Sequence, residues 1–303
     1  LIPAMVAQGY DAGFSSALSA ISGSLGTVIP PSITFIIYGM ITGESIGDLF
    51  LSGIVPGLIF GFMLCIMVFI KSKKNGWKGE TQRASLKEIG RLFLDTIWGL
   101  LSPVIVLGGI YSGLFTPTEA AAVAVVYSLI VGIFIYKELR LAELKETLFS
   151  TAKTTGMILL IIMNAGIFSW VLTQQGIAAS LTEMALALTD NKYIMLVIIN
   201  IVFLCAGCVM DNTSALYILV PIIMPIAKAL DINMIQLGVI LVLNLSIGQV
   251  TPPVGPNLYV AADIGKVKFE EICRRMVPLL LMSLLALLCI TYIPALSLCL
   301  IPS

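Results

Sequence analysis

The sequence predicts an all-α polytopic membrane protein, built as an inverted repeat with re-entrant helical hairpins and two broken transmembrane helices. Four observations predict it. The chain is 58% hydrophobic and 11% charged, where a soluble protein carries about 25% charged residues. Its longer apolar runs reach the roughly 20 residues that span a bilayer. A break rich in proline and glycine interrupts this apolar sequence twice. The basic flanks of the two copies lie on opposite sides of their spans.

The second break is the fuller one. Asn244 to Asn257 reads NLSIGQVTPPVGPN inside the apolar run from Leu237 to Ala262. Each proline removes a backbone donor and crowds the preceding turn, so a helix must break there. In lipid, broken backbone is tolerated only where it lines a cavity or is buried in protein. The freed carbonyls, with the side chains of Asn244, Ser246, Thr251 and Asn257, make an oxygen-rich cluster at membrane depth. Small hard cations take such ligands, and carriers place them in unwound segments.

The first break, Ser22 to Ser32, reads SGSLGTVIPPS. A gapless shift (225 − 3 = 222) lays Pro3 on Pro225, Ser24 on Ser246, Gly26 on Gly248, Pro30 on Pro252 and Pro31 on Pro253. Gly43 falls on Gly265 and Pro56 on Pro278; Ser22 faces Asn244. This is an internal duplication, a signature of secondary transporters. In copy one, the span from Leu49 to Ile70 is followed by Lys71, Lys73, Lys74, Lys78, Arg83, Lys87 and Arg91. In copy two, the matching span is preceded by Lys266, Lys268, Arg274 and Arg275, and no Lys or Arg follows it. By the positive-inside bias the copies cross in opposite senses, and the C-terminus faces away from the cytoplasm.

Composition also excludes. Zero net charge gives nucleic acid no purchase, and the absence of histidine removes the commonest proton shuttle and metal ligand. Cys205 and Cys208 have CxxC spacing but sit in apolar sequence, where they read as packing residues. No Gly-x-Ser-x-Gly elbow, His-rich set or paired acids point to an enzyme.

In chain order, Leu1–Gln8 reads as the tail of a helix and residues 9–13 as a turn. Residues 14–23 form a half helix, 24–32 the break and 33–42 the second half. Leu49 to Ile70 spans, and 71–91 is a polar cytoplasmic loop. Leu86, Ile89, Leu92, Phe93, Ile97 and Trp98 recur at helical spacing, as in an amphipathic interfacial helix. Such a helix serves equally as a rigid arm or an ordinary linker. Residues 101–114 are short for a span. FTPTEA at 115–120 is a helix start, with Thr116 as N-cap, Pro117 at N1 and Glu119 closing a capping box. That helix runs to Tyr136. An amphipathic segment at 141–150, an apolar run at 151–175 and a short helix at 177–188 follow.

Tyr193 to Ala229 is apolar and long enough for two spans, but its centre holds Gly207, Asp211, Asn212, Thr213 and Ser214. A re-entrant hairpin with this cluster as its tip is one reading; an aqueous loop between two spans is the other. An intramembrane carboxylate such as Asp211 is a functional candidate. The first copy lacks the part matching Tyr193 to Ile223, so a complete duplication requires a segment before Leu1.

GTVIPPS at 26–32, FTPTEAAA at 115–122, MDNTSAL at 210–216 and NLSIGQVTPPVGPNLYV at 244–260 resemble the large membrane subunit of tripartite ATP-independent periplasmic (TRAP) transporters. The resemblance covers essentially the whole chain. Gln249 and Pro256 depart from the smaller or more apolar residues it leads one to expect. It implies an elevator-type, sodium-driven importer of organic acids, such as C4-dicarboxylates or sialic acid, in a bacterial inner membrane. Its implied partners are a small four-helix membrane subunit, sometimes fused, a soluble periplasmic substrate-binding protein and the lipid bilayer. The chain then divides into 1–45 and 176–265 as transport segments, 46–175 as scaffold and arm, and 266–303 as a terminal arm and scaffold helix.

Two sodium sites are expected, related by the repeat. One uses Ser22, Ser24, Gly26 and Pro30. The other uses Asn244, Gly248 and Thr251 with the tip residues Asp211, Asn212 and Ser214. Thr27, Ser32, Asp211, Thr213 and Asn257 are the substrate candidates; an anionic carboxylate suits half-helix N-termini. Each hydroxyl has a plainer alternative, bonding back within its own helix. The competing functional readings are a sodium- or proton-coupled anion carrier working without a binding protein, and a channel.

Overall fold

The computed structural model describes residues 1–77 and 85–301. Lys78 and Arg83 of the expected basic loop lie outside the described residues. Those described are helical with no strand, and seven helices among them are long and apolar enough to cross a membrane. The chain is a multi-pass membrane protein.

In chain order the helices are α1 (Ile2–Ala7), α2 (Ala12–Leu25), α3 (Ile33–Thr42), α4 (Ile46–Asn75), α5 (Leu86–Tyr111), α6 (Pro117–Ile130) and α7 (Leu141–Gln174). Then come α8 (Ile177–Leu188), α9 (Lys192–Val209), α10 (Asn212–Ala229), α11 (Met234–Gly248), α12 (Pro256–Gly265), α13 (Phe269–Tyr292) and α14 (Ala295–Leu298). The chain forms two compact units, Leu1–Glu80 with Gly166–Ser303, and Thr81–Ala165. This division differs from the four segments read off the sequence. α4 packs on α11 and α13, and α13 packs on α2, so both helices belong to the unit that holds the breaks.

Within the smaller unit the expected arm and short apolar segment are one helix, α5, of 26 residues. Pro103 costs it one hydrogen bond, to the carbonyl of Gly99, and the helix continues on both sides. The amphipathic and apolar parts of 141–175 likewise merge into α7. The polar stretch expected over 71–91 is shorter than that, because Lys71, Lys73 and Lys74 ride the end of α4 and Lys87 and Arg91 the start of α5. The capping box forms: Thr116 Oγ1 accepts from Glu119 N at 3.3 Å, and the Glu119 carboxylate accepts from Thr116 N at 2.8 Å. α6 runs on through a π-helical turn at Val131–Ile135.

The larger unit carries the repeat. Asp11 caps α2 by accepting from Phe14 N at 2.8 Å; its mate Asn233 caps α11 by accepting from Ile235 N and Gln236 N at 3.0 Å. The broken helices run antiparallel. Asn257 bonds Ser24 while Gly265 packs on Ser16; Thr27 meets Ser246 while Tyr38 donates to Met234 O at 2.6 Å. Both basic flanks reach one end of the unit. Tyr10 packs against Trp77, just past the lysines of α4, with ring centroids 5.1 Å apart and the rings tilted by 36°, and Asp11 pairs with Arg275 of α13 at 3.0 Å. Flanks on opposite sides of their spans in sequence thus share one end in space, as an inverted repeat requires.

Asp11→Ala is expected to lower stability by about 1 kcal/mol, mainly through the lost cap, because a half-exposed ion pair adds little. Asp11→Asn keeps the capping oxygen, as Asn233 does in copy two, and should recover most of the loss in thermal unfolding in detergent.

Candidate functional site

The two breaks meet along a set of contacts that follows the repeat. Ser24 and its mate Ser246 are both buried, and both donate one turn back, to Ala20 O at 3.3 Å and Val242 O at 2.7 Å. Thr27 contacts Ser246 directly, hydroxyl to hydroxyl. The mate of Thr27 is Gln249, and the matching contact would join Gln249 to Ser24. Asn257 makes it: its Nδ2 donates to Ser24 Oγ and to Gln249 Oε1, each at 3.1 Å. Ser32 caps α3 and donates to Thr27 O. Pro30–Pro31 and Pro252–Pro253 are both cis. Of the copy-one candidates, Ser24, Thr27 and Ser32 are joined at this crossing and Pro30 is buried, while Ser22 and Gly26 are exposed.

The hairpin reaches the second break. Its ends meet, with Lys192 Nζ donating to Asp231 O at 3.3 Å. At the far end Gly255 N, inside the break, donates to Cys208 O at 3.2 Å. Gly207 packs on Gly248 so closely that a Cβ on Gly248 would lie 2.6 Å from Gly207 Cα; small residues permit such approach between membrane helices. The geometry is that of a hairpin whose tip seats on the break. Asp211 caps α10: its carboxylate accepts from Ser214 N at 3.0 Å and Ser214 Oγ at 2.6 Å. Thr213 is half-buried beside it. Thr251, also half-buried, donates back to Ile247 O at 2.7 Å.

Two amide oxygens stand out. Asn212 is 7% exposed and Asn244 fully buried, and Oδ1 of each has no hydrogen-bond partner among the described residues. A buried acceptor without a partner is costly, more so in a membrane. Neutral carbonyl-type oxygens are what a hard cation takes, so both atoms fit one. No group of three His, Cys, Asp or Glu side chains that could hold a metal ion occurs among the described residues.

The structure does not join Asn244 to the hairpin tip. Its side chain faces Asn200, on the same hairpin arm but well before the tip, with Nδ2 2.6 Å from Asn200 Oδ1. Sequence reasoning placed Ser246 in the oxygen-rich cluster but passed over Asn200 and Gln249. Gln249 was findable as the repeat mate of Thr27. Asn200 carries no such signal, because the 222-residue shift pairs it with no position in residues 1–303.

A family model described as the tripartite ATP-independent periplasmic transporter, DctM component, matches residues 1–296. The chain is 42% identical to the isethionate TRAP transporter permease protein DctMQ of Oleidesulfovibrio alaskensis, over 97% of this chain and 46% of that protein. It is 42% identical to the C4-dicarboxylate TRAP transporter large permease protein DctM of Pseudomonas aeruginosa, over 99% of this chain and 70% of that one. It is 36% identical to the sialic acid TRAP transporter large permease protein SiaM of Vibrio cholerae, over 95% of this chain and 67% of that one. The chain thus spans less than half of the first relative and about two thirds of the others. These relatives are permeases and not enzymes, and this chain, a multi-pass protein of the bacterial inner membrane, belongs to the DctM component family of tripartite ATP-independent periplasmic transporters.

Proposed function

We propose that this chain forms the binding core of the large subunit of a sodium-coupled importer of a small organic acid. A periplasmic binding protein delivers the solute, and a small four-helix membrane subunit completes the membrane assembly. The unit that holds both breaks carries solute and ions across by an elevator movement. The observation behind this reading is the meeting of two oppositely oriented breaks beside buried, unpaired amide oxygens. The relatives' names supply the solute class: isethionate, C4-dicarboxylate and sialic acid are all organic anions.

In this reading sodium binds on the second copy at Asn244, Gly248 and Thr251, with Asp211, Asn212 and Ser214 at the tip. On the first copy it binds at Ser22, Ser24, Gly26 and Pro30. The acid meets Thr27, Ser32, Thr213 and Asn257 near the N-terminal ends of α3 and α12, where helix dipoles favour negative charge, with Asp211 alongside. Sodium offsets the anion's charge, so the two enter a low-dielectric site together more cheaply than either does alone.

The test is uptake of radiolabelled succinate, sialic acid and isethionate into proteoliposomes holding the full-length large subunit and its small partner. Uptake should require both an inward sodium gradient and the matching binding protein. Sodium-driven uptake indifferent to the binding protein would instead identify a stand-alone carrier, and uptake indifferent to sodium would end the coupling reading.

A further inference from the structure

We propose that Asn200 is a positioning residue for ion binding: it fixes the amide of Asn244 so that the oxygen, and not the nitrogen, is left free. This rests on the sodium reading above. Asn244 Nδ2 spends both hydrogens, on Asn200 Oδ1 at 2.6 Å and on Ile240 O at 2.8 Å. Its Oδ1 is fully buried and unpartnered. A carboxamide is nearly symmetric in shape, so its neighbours decide which end faces which way. An acceptor at Asn200 makes that decision here.

Asn200 is itself fixed. Its Nδ2 donates to Thr291 Oγ1 at 3.2 Å, and Thr291 O accepts from Gln236 Nε2 at 3.0 Å. The chain of bonds runs from the first turn of α11 through α13 to α9 and back to α11. All four side chains are at least nine-tenths buried. A buried chain of hydrogen bonds of this kind restricts the arrangement of the groups it holds. The first copy has no equivalent. Ser22, Phe69 and Phe14 stand at the mates of Asn244, Thr291 and Gln236 (22, 69 and 14 plus 222). The two repeat-related breaks are therefore unequal at these positions: among the described residues, Asn244 of the second is an amide aimed by its neighbours and Ser22 of the first is not an amide.

The experiment is a sodium titration of the thermal unfolding midpoint of the full-length subunit with its small partner in detergent, without solute, and with potassium as control. Sodium uptake kinetics follow on the same variants. Asn200→Leu should raise the sodium needed for the half-maximal midpoint shift about fivefold, the worth of one oriented hydrogen bond. Maximal uptake at saturating sodium should stay within about twofold of wild type. Thr291→Val should move the half-point the same way by roughly twofold, and Thr291→Ser, which keeps the hydroxyl, should restore it. A fall in the sodium-free midpoint with an unchanged sodium half-point would make the network merely structural and overturn the proposal. So would wild-type half-points in both Asn200→Leu and Thr291→Val. A wild type whose midpoint ignores sodium would sink the coupling reading, and this inference with it. If Asn200→Leu does not assemble, the Thr291 pair decides.

Discussion

Asn244→Leu is expected to abolish sodium-driven uptake while leaving the subunit folded. Leucine is close to asparagine in size, so the packing around α11 should hold. The change removes one unpaired buried acceptor, Asn244 Oδ1, and creates another, Asn200 Oδ1, which loses its donor. The two effects oppose each other, and net stability should change by no more than about 1–2 kcal/mol. In the proposed sodium site the ion would lose an oxygen that water cannot easily replace at zero exposure. A loss of 1.5–3 kcal/mol, typical of a bond to a charged group, weakens sodium binding on the order of 10- to 100-fold. The sodium-free unfolding midpoint should stay near wild type, and the sodium-induced shift should vanish at physiological concentrations. Wild-type sodium dependence in this variant would take Asn244 out of the site.

Gly248→Val should be the most damaging single change at the break. An added Cβ would lie 2.6 Å from Gly207 Cα, 2.7 Å from Gly207 C and 3.0 Å from Leu204 O. All three are backbone atoms, which no rotamer change can move. α9 must back away from α11, and the bond from Gly255 N to Cys208 O opens with it. Overpacking of this kind costs about 3 kcal/mol, and uptake should be lost. Cys208 is buried and reports the movement. With the five other cysteines, of which Cys65, Cys205 and Cys299 are exposed, changed to serine, a small thiol reagent should modify Cys208 slowly in the otherwise native protein and much faster in the valine variant. Slow labelling together with normal uptake would mean that the close approach of the two glycines carries no functional weight.

Local chemistry decided which parts of this fold could be read in advance. Ser32 and Gly43 bound α3, and Thr116 with Glu119 begins α6; caps act within one turn, so these limits were legible. The repeat was legible because prolines and glycines mark both breaks at one spacing. α5 and α7 were divided too finely. The amphipathic spacing up to Trp98 and the polar residues of 141–150 read as separate segments, yet one helix runs through each, since lipid offers a freed backbone no alternative partner. The contacts that build the site were mostly hidden. Thr27 with Ser246 follows from the inverted repeat only once the two breaks are known to sit side by side. The Asn200–Asn244 pair depends on how α9 rolls against α11, which neither periodicity nor hydropathy records.

The crossing of the breaks also sets an order of assembly. Thr27 reaches Ser246 across 219 positions, Asn257 reaches Ser24 across 233, and Arg275 reaches Asp11 across 264. The Thr81–Ala165 unit is held by nearer pairs, such as Tyr127 with Trp98 across 29 positions. Contacts so distant form late, because a chain emerging N-terminus first must wait for its far end. Copy one therefore waits in the membrane with its break open while the intervening unit is made and settles. Only the arrival of residues 246–275 closes the crossing. The middle of this chain is finished before its beginning, and a ribosome that stalls after Gln174 leaves the intervening unit beside a break that has no partner.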